Sequence, residues 1–105
     1  MFKLEEERMT EEEYNEAIGK IAEHYGLKAQ SMQMCEECAE LIQETSKLTR
    51  GVVETRIRTL AEEIADVRIM MSQLMQFYGI PEVEIALIVR EKLERQMKRI
   101  KEEQG

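Results

Sequence analysis

A chain of 105 residues has room for one domain, and we treat positions 1–105 as that single domain. A domain this short buries only a modest core, so self-association that covers more apolar surface is expected. The chain has five glycines and one proline, and it is 43% hydrophobic and 35% charged, a composition that favours long helices over a sheet with many tight turns. The composition therefore predicts an all-α fold.

The charge and the hydropathy pattern exclude several kinds of partner. A net charge of −7 argues against binding a nucleic acid polymer through its phosphates, which requires a basic stripe, although an anionic small molecule could still bind through a cation. No apolar run is long enough to cross a bilayer, and the opening segment 1–8 lacks the apolar core of a signal peptide. We therefore expect no membrane partner and a cytoplasmic location.

The first two predicted helices end at glycines. The first begins at Thr10, whose hydroxyl can cap the helix while Glu13 reaches back in a capping box, and it stops at Gly26. The second covers about 29–49, with apolar residues at helical spacing, and ends before Gly51. Cys35 lies on this apolar stripe one turn before a second cysteine, which favours core packing in a reducing compartment.

Two further helices follow. The third runs from near Thr55 to Tyr78, with Gly79 as the residue after its end. Pro81 fits the first turn of the fourth helix, whose apolar face continues to Ile100. Short connections favour antiparallel neighbours. The predicted architecture is an antiparallel bundle of four main helices, completed by oligomerisation.

Two acidic motifs recur on successive helices. Glu37 and Glu40 form a Glu-x-x-Glu pair on the second helix, and Glu63 and Asp66 form a Glu-x-x-Asp pair on the third. Residues three apart project from adjacent turns on one side of a helix, so each pair can reach one ion. Because four neighbouring carboxylates repel, a divalent cation favours their ionised state. Oxygen-only ligands predict Mg²⁺ and a phosphate-bearing substrate; a solvated acidic face is the alternative interpretation.

The same residues carry a family resemblance. The string EECAEL at positions 36–41, followed by LAEEIADV at 60–67, resembles the MazG-like all-α nucleoside triphosphate pyrophosphohydrolases. Their signature is Glu-x-x-Glu, a spacer, then Glu-x-x-Asp. The resemblance covers roughly residues 30–100. It implies that the protein hydrolyses a nucleoside triphosphate, a deoxynucleotide or a non-standard nucleotide, between the α and β phosphates, yielding nucleoside monophosphate and pyrophosphate.

The resemblance also implies roles for particular residues. Mg²⁺ ligation transfers to the two acidic pairs described above. One of four carboxylates is expected to orient or deprotonate the attacking water: Glu36, Glu37, Glu40 or Glu62. On the last helix, the candidate contacts to substrate phosphate are Lys92, Arg95, Gln96 and Arg99, with Gln96 standing where some relatives have Asn. Family members assemble as dimers or larger oligomers, so a homodimer or homotetramer is expected.

Two other functions stay open from the sequence. Phosphoribosyl-ATP pyrophosphohydrolase belongs to the same superfamily and shares the acidic pattern, but acts in histidine biosynthesis. A non-catalytic, self-associating helical adaptor would keep its acidic side chains solvated and would take up no specific metal.

Overall fold

The computed structural model describes residues 8–105, which form four helices and no strand. The segment 1–7, on which the expectation of a missing signal peptide rested, lies outside the described residues. The helices are α1 (Glu11–Tyr25), α2 (Leu27–Thr49), α3 (Glu54–Tyr78) and α4 (Glu82–Gln104). The predicted all-α bundle of four helices is confirmed. No helix in the described range is long and apolar enough to cross a membrane.

The helix ends follow local chemistry. The Glu13 N–H donates to Thr10 Oγ1 at 3.0 Å and the Thr10 N–H donates to Glu13 Oε1 at 2.8 Å, which is the predicted capping box. Gly26 alone connects α1 to α2, with a φ of +88° that a side chain would resist. Because one residue completes this turn, α2 begins at Leu27, two residues earlier than predicted.

The α3–α4 connection is also short. Gly79 adopts the left-handed conformation with a φ of +65°, and the Ile80 N–H closes the end of α3 by donating to the Met75 carbonyl at 2.9 Å. Pro81 immediately precedes α4 and is extended, rather than lying in its first turn as predicted. Its carbonyl accepts the first helical hydrogen bond from the Glu84 N–H at 3.0 Å.

The core lies among the first three helices, and the most extensive contact joins α2 to α3. Its buried apolar side chains are Ile18 and Ala22 from α1, and Val67 and Met70 from α3. In contrast, α4 has no buried residue, and only Ile85 near its start is half-buried. The bundle therefore consists of three mutually packed helices and a fourth that projects from them.

Polar contacts fix the alignment of α2 against α3 at both ends. Near the start of α2, Gln30 Nε2 donates to Gln73 Oε1 at 2.8 Å, and Gln73 is only 1% exposed. Near its end, Glu44 pairs with Lys47 at 3.0 Å and lies 3.9 Å from Arg56 on α3. A buried amide pair tolerates little sliding, because either partner alone would lose its hydrogen bond. The two contacts therefore set the antiparallel register.

Replacing one member of the amide pair should destabilise the protein more than replacing both. Gln73→Leu leaves the Gln30 side-chain amide buried without its acceptor, so the free energy of unfolding in urea should fall by about 1–3 kcal/mol. The double variant Gln30→Leu/Gln73→Leu removes both polar groups and should recover most of that loss. A double variant whose loss equals the sum of the two single losses would show that the amides act independently.

Candidate metal centre

Three carboxylates converge where α2 crosses the middle of α3. Glu37 projects from α2, and Glu63 and Asp66 project from adjacent turns of α3. One oxygen from each side chain lies within 4.8 Å of an oxygen of each of the others. Glu37 and Glu63 are half-buried in the seam between the helices, whereas Asp66 is exposed. The cluster is therefore open to solvent on the Asp66 side.

Glu37 has two carboxylate oxygens in different environments. Oε1 accepts a 2.8 Å hydrogen bond from Gln33 Nε2, one turn earlier on α2. Oε2 is buried and has no hydrogen-bond partner among the residues that the structure describes. A buried carboxylate oxygen without a donor is costly unless it is protonated or pairs with a cation. Gln33 thus orients Glu37 while leaving one oxygen available.

Glu63, on the other helix, also has an oxygen without a partner in the described part of the chain. Its Oε2 is also buried without a hydrogen-bond partner. Glu40, the fourth predicted ligand, lies outside the group of three and is itself exposed. Its charge nevertheless contributes to raising the pKa of both Glu37 and Glu63, so Glu40 lies near the cluster. The structure therefore brings three of the four predicted ligands together and places the fourth beside them.

The electrostatics of the cluster favour neutralisation. Burial raises the pKa of Glu37 above its ordinary value of 4.5, and the charges of Asp66 and Glu40 raise it further, against a lowering by the Gln33 hydrogen bond. The pKa of Glu63 is raised first by burial and then by the hydrogen bond and the charge of Glu40. Crowding and desolvation both disfavour the ionised forms. A bound cation offsets both effects without protonation.

The other predicted site residues are not members of the group of three carboxylates. Glu36 and Glu62 are exposed, and Glu62 Oε2 lies 3.9 Å from Arg58 on its own helix. The four phosphate-binding candidates are all exposed on α4 and make no hydrogen bond or ion pair with the carboxylates described above. These candidates are Lys92, Arg95, Gln96 and Arg99. Their predicted roles stay predictions.

Sequence reasoning missed one residue and misplaced another. Gln33 lies one helical turn before Glu37, and this i, i+4 spacing was the available signal for its contact. The core-packing prediction for Cys35 is wrong, because Cys35 is exposed and the neighbouring Cys38 is half-buried. Cys35 lies two residues before Glu37 and so points away from the α2–α3 seam.

A separate groove lies away from the carboxylate cluster. It has a volume of about 660 Å³ and is lined by α1, the end of α3 and the start of α4. There Tyr14 Oη and Ser72 Oγ are hydrogen-bonded at 2.7 Å, and Gln76 Nε2 donates to the Asn15 carbonyl at 3.2 Å. Among the described residues, the buried side-chain oxygens that lack a hydrogen-bond partner belong to the carboxylate cluster and not to this groove. The cluster is therefore the stronger candidate site.

Comparison with known proteins adds no relative. No family model, curated protein or solved structure matches this chain.

Gln33→Met should weaken metal binding without removing a ligand. The substitution preserves the size of the side chain but deletes the donor to Glu37 Oε1, so Glu37 is less well oriented and more easily protonated. We expect Mg²⁺ affinity, measured by calorimetric titration, to fall about 10–100-fold. Gln43→Met, at an exposed position of the same helix, is the matched control and should leave affinity unchanged. Equal behaviour of the two variants would contradict the orienting role.

The raised pKa values predict how stability depends on pH in metal-free protein. With a folded-state pKa above the unfolded value, Glu37 and Glu63 hold more protons when folded, so the free energy of unfolding should fall as pH rises from 4.5 through the raised pKa. Urea unfolding in EDTA measures this slope. Glu63→Gln should flatten it, and the difference between the two proteins cancels the opposite contribution of Glu13. A wild-type slope no steeper than that of Glu63→Gln would contradict the prediction.

Proposed function

We propose that this protein is a Mg²⁺-dependent nucleoside triphosphate pyrophosphohydrolase similar to the MazG-like enzymes. The observation that carries the proposal is the pair of buried, unpartnered oxygens, Glu37 Oε2 and Glu63 Oε2, within one carboxylate cluster. A merely solvated acidic face would expose these oxygens to water. Their burial beside further negative charge favours a site built for a cation.

The donor chemistry supports Mg²⁺ in particular. The cluster offers carboxylate oxygens, which hard cations prefer, and its exposed Asp66 side leaves space for water and for substrate oxygens. Glu37, Glu63 and Asp66 would hold the ion, with Glu40 beside them. Bound Mg²⁺ neutralises negative charge on the triphosphate and on the departing pyrophosphate. The resemblance of both acidic motifs to the MazG-like signature supports a nucleoside triphosphate as the substrate.

The protein's carboxylates also provide a base. In the proposed reaction, water attacks the triphosphate, the anhydride between the α and β phosphates breaks, and a carboxylate takes up the water proton. The candidates for this role are Glu36, Glu37, Glu40 and Glu62. Among these candidates, Glu37 has a fixed orientation, because Gln33 donates a hydrogen bond to its other oxygen.

Asp66→Asn tests the proposal with little risk to folding. Asp66 is exposed, and its charge raises the pKa of both Glu37 and Glu63, so its neutralisation should maintain or increase stability without metal. Pyrophosphate release from nucleoside triphosphates in Mg²⁺ should nevertheless fall at least about 100-fold. If Asp66 had only a structural role, its substitution would change the stability of the metal-free protein and the rate of pyrophosphate release in the same direction. Glu23→Gln, at an exposed position of α1, is the charge-matched control.

The substrate panel should contain canonical and modified ribo- and deoxynucleoside triphosphates together with phosphoribosyl-ATP. Pyrophosphate and orthophosphate are measured separately, since only pyrophosphate reports cleavage between the α and β phosphates. Selective turnover of phosphoribosyl-ATP would replace the proposed substrate. No specific Mg²⁺ uptake and no hydrolysis would favour the helical adaptor. Full activity of Asp66→Asn or Glu40→Gln would refute the assigned site.

A further inference from the structure

The single chain exposes far more surface than a compact protein of its mass. Its accessible surface is 8917 Å², against about 6,100 Å² for a compact 12.4 kDa monomer, an excess of roughly 2,800 Å². Its radius of gyration is 17.1 Å, against about 13 Å for a compact chain of 100 residues. A large homodimer interface covers roughly 1,000–2,500 Å² on each copy. The excess is sufficient for such an interface.

α4 carries an exposed apolar stripe. Val89, Leu93, Met97 and Ile100 follow one another at helical spacing, and Leu93 and Met97 are 60% and 63% exposed. Near the start of α4, Ile85 lies beside Met71 and other residues of α3. Beyond that turn, α4 packs on no other helix. Its apolar stripe therefore lacks a partner within the described part, residues 8–105, of its own chain.

A second exposed stripe runs along α3. Ile57, Ile64, Met71 and Tyr78 recur every seven residues and so share one face of the helix. Ile57 is 49% exposed and Ile64 is 40% exposed. From Ile57 to Met71 the stripe is about 21 Å long, and from Val89 to Ile100 the α4 stripe is about 17 Å long, so the two have comparable lengths.

The α3 stripe does not coincide with the carboxylate cluster. Ile64 and Asp66 are two positions apart, which is about 200° around a helix, so they project from nearly opposite sides of α3. A helix packed on the Ile57 and Ile64 face can therefore cover apolar surface while the Asp66 side stays open. Association through this face is compatible with access to the proposed metal site.

The charge distribution favours a second copy as the partner. Between Arg90 and Lys101, α4 carries six basic and two acidic residues, while the other positions carry nine basic and twenty acidic residues. Two acidic bodies repel each other, but a basic arm is attracted to the acidic body of another copy. Both stripes belong to the same chain, so one contact and its reciprocal can close a two-fold dimer.

We propose that α4 is an exchanged arm, in which Val89–Ile100 of one copy packs along the Ile57 and Ile64 face of α3 in a second copy. The reciprocal contact forms at the same time. This inference specifies the self-association expected for the proposed function and is independent of the metal chemistry. The arm projects from its own body, so partner binding covers its apolar stripe without refolding the three-helix core.

Analytical ultracentrifugation of the full chain tests the association. The mass of the wild-type particle, determined from its sedimentation, should be twice the 12.4 kDa mass of one chain. Leu93→Glu/Met97→Glu on the arm and Ile57→Glu on α3 should each raise the dimer dissociation constant at least about 100-fold, because each buries charge in the proposed contact. Met32→Glu, at an exposed apolar position of α2, is the matched control and should remain dimeric. Circular dichroism should show unchanged helix content in every variant.

A photoreactive benzophenone amino acid at position 93 identifies the contact without assuming its register. In a mixture of ¹⁴N- and ¹⁵N-labelled protein, light should join position 93 of one copy to residues 54–78 of the other. A monomeric wild type, attachment only within one copy, or a dimer unaffected by both sets of variants would overturn the proposal. Because Mg²⁺ titration and pyrophosphate release are measured separately, a failed arm contact and a failed active site give different results.

Discussion

The main physical constraint on this protein is the burial of two carboxylates in the seam between α2 and α3. Apolar side chains at those positions would stabilise the helix pair, whereas Glu37 and Glu63 bring buried oxygens that no donor among residues 8–105 satisfies. The helices stay aligned because the Gln30–Gln73 amide pair and the Glu44–Arg56 contact lie on either side of the cluster along the helices. The two buried carboxylates therefore lower the stability of the helix pair, and a bound cation would offset this cost. Such local destabilisation is common at functional sites.

The proposed chemistry and the proposed association use different sides of one helix. α3 presents Asp66 on one side and Ile57 and Ile64 on the other, with Val67 and Met70 in the core between them. A single long helix can serve three surfaces because its side chains radiate at about 100° intervals. This separation lets the metal site stay open when a second copy covers the apolar face.

Because the core is small, the exposed apolar residues of the projecting helix α4 matter for the stability of the protein. Only four apolar side chains among the described residues are buried, all from α1 and α3, and a 105-residue domain gains limited stability from such a core. An α4 that serves no partner would expose Leu93 and Met97 without benefit. If the arm is exchanged, the basic stretch containing Lys92, Arg95 and Arg99 moves with it, so the position of these candidate phosphate contacts depends on the assembly.

The sequence by itself determined the four helices, because the Thr10–Glu13 capping box, Gly26 and Gly79 act through neighbouring residues. It also indicated the pairing of acidic motifs, since Glu37 and Glu40, like Glu63 and Asp66, share a helical face by spacing alone. Only the tertiary structure decided that Glu37, Glu63 and Asp66 meet, that Glu40 stands beside them, that Gln33 orients Glu37, and that α4 leaves the core. Those outcomes depend on helix register and on distances between residues far apart in the chain, which local periodicity does not specify.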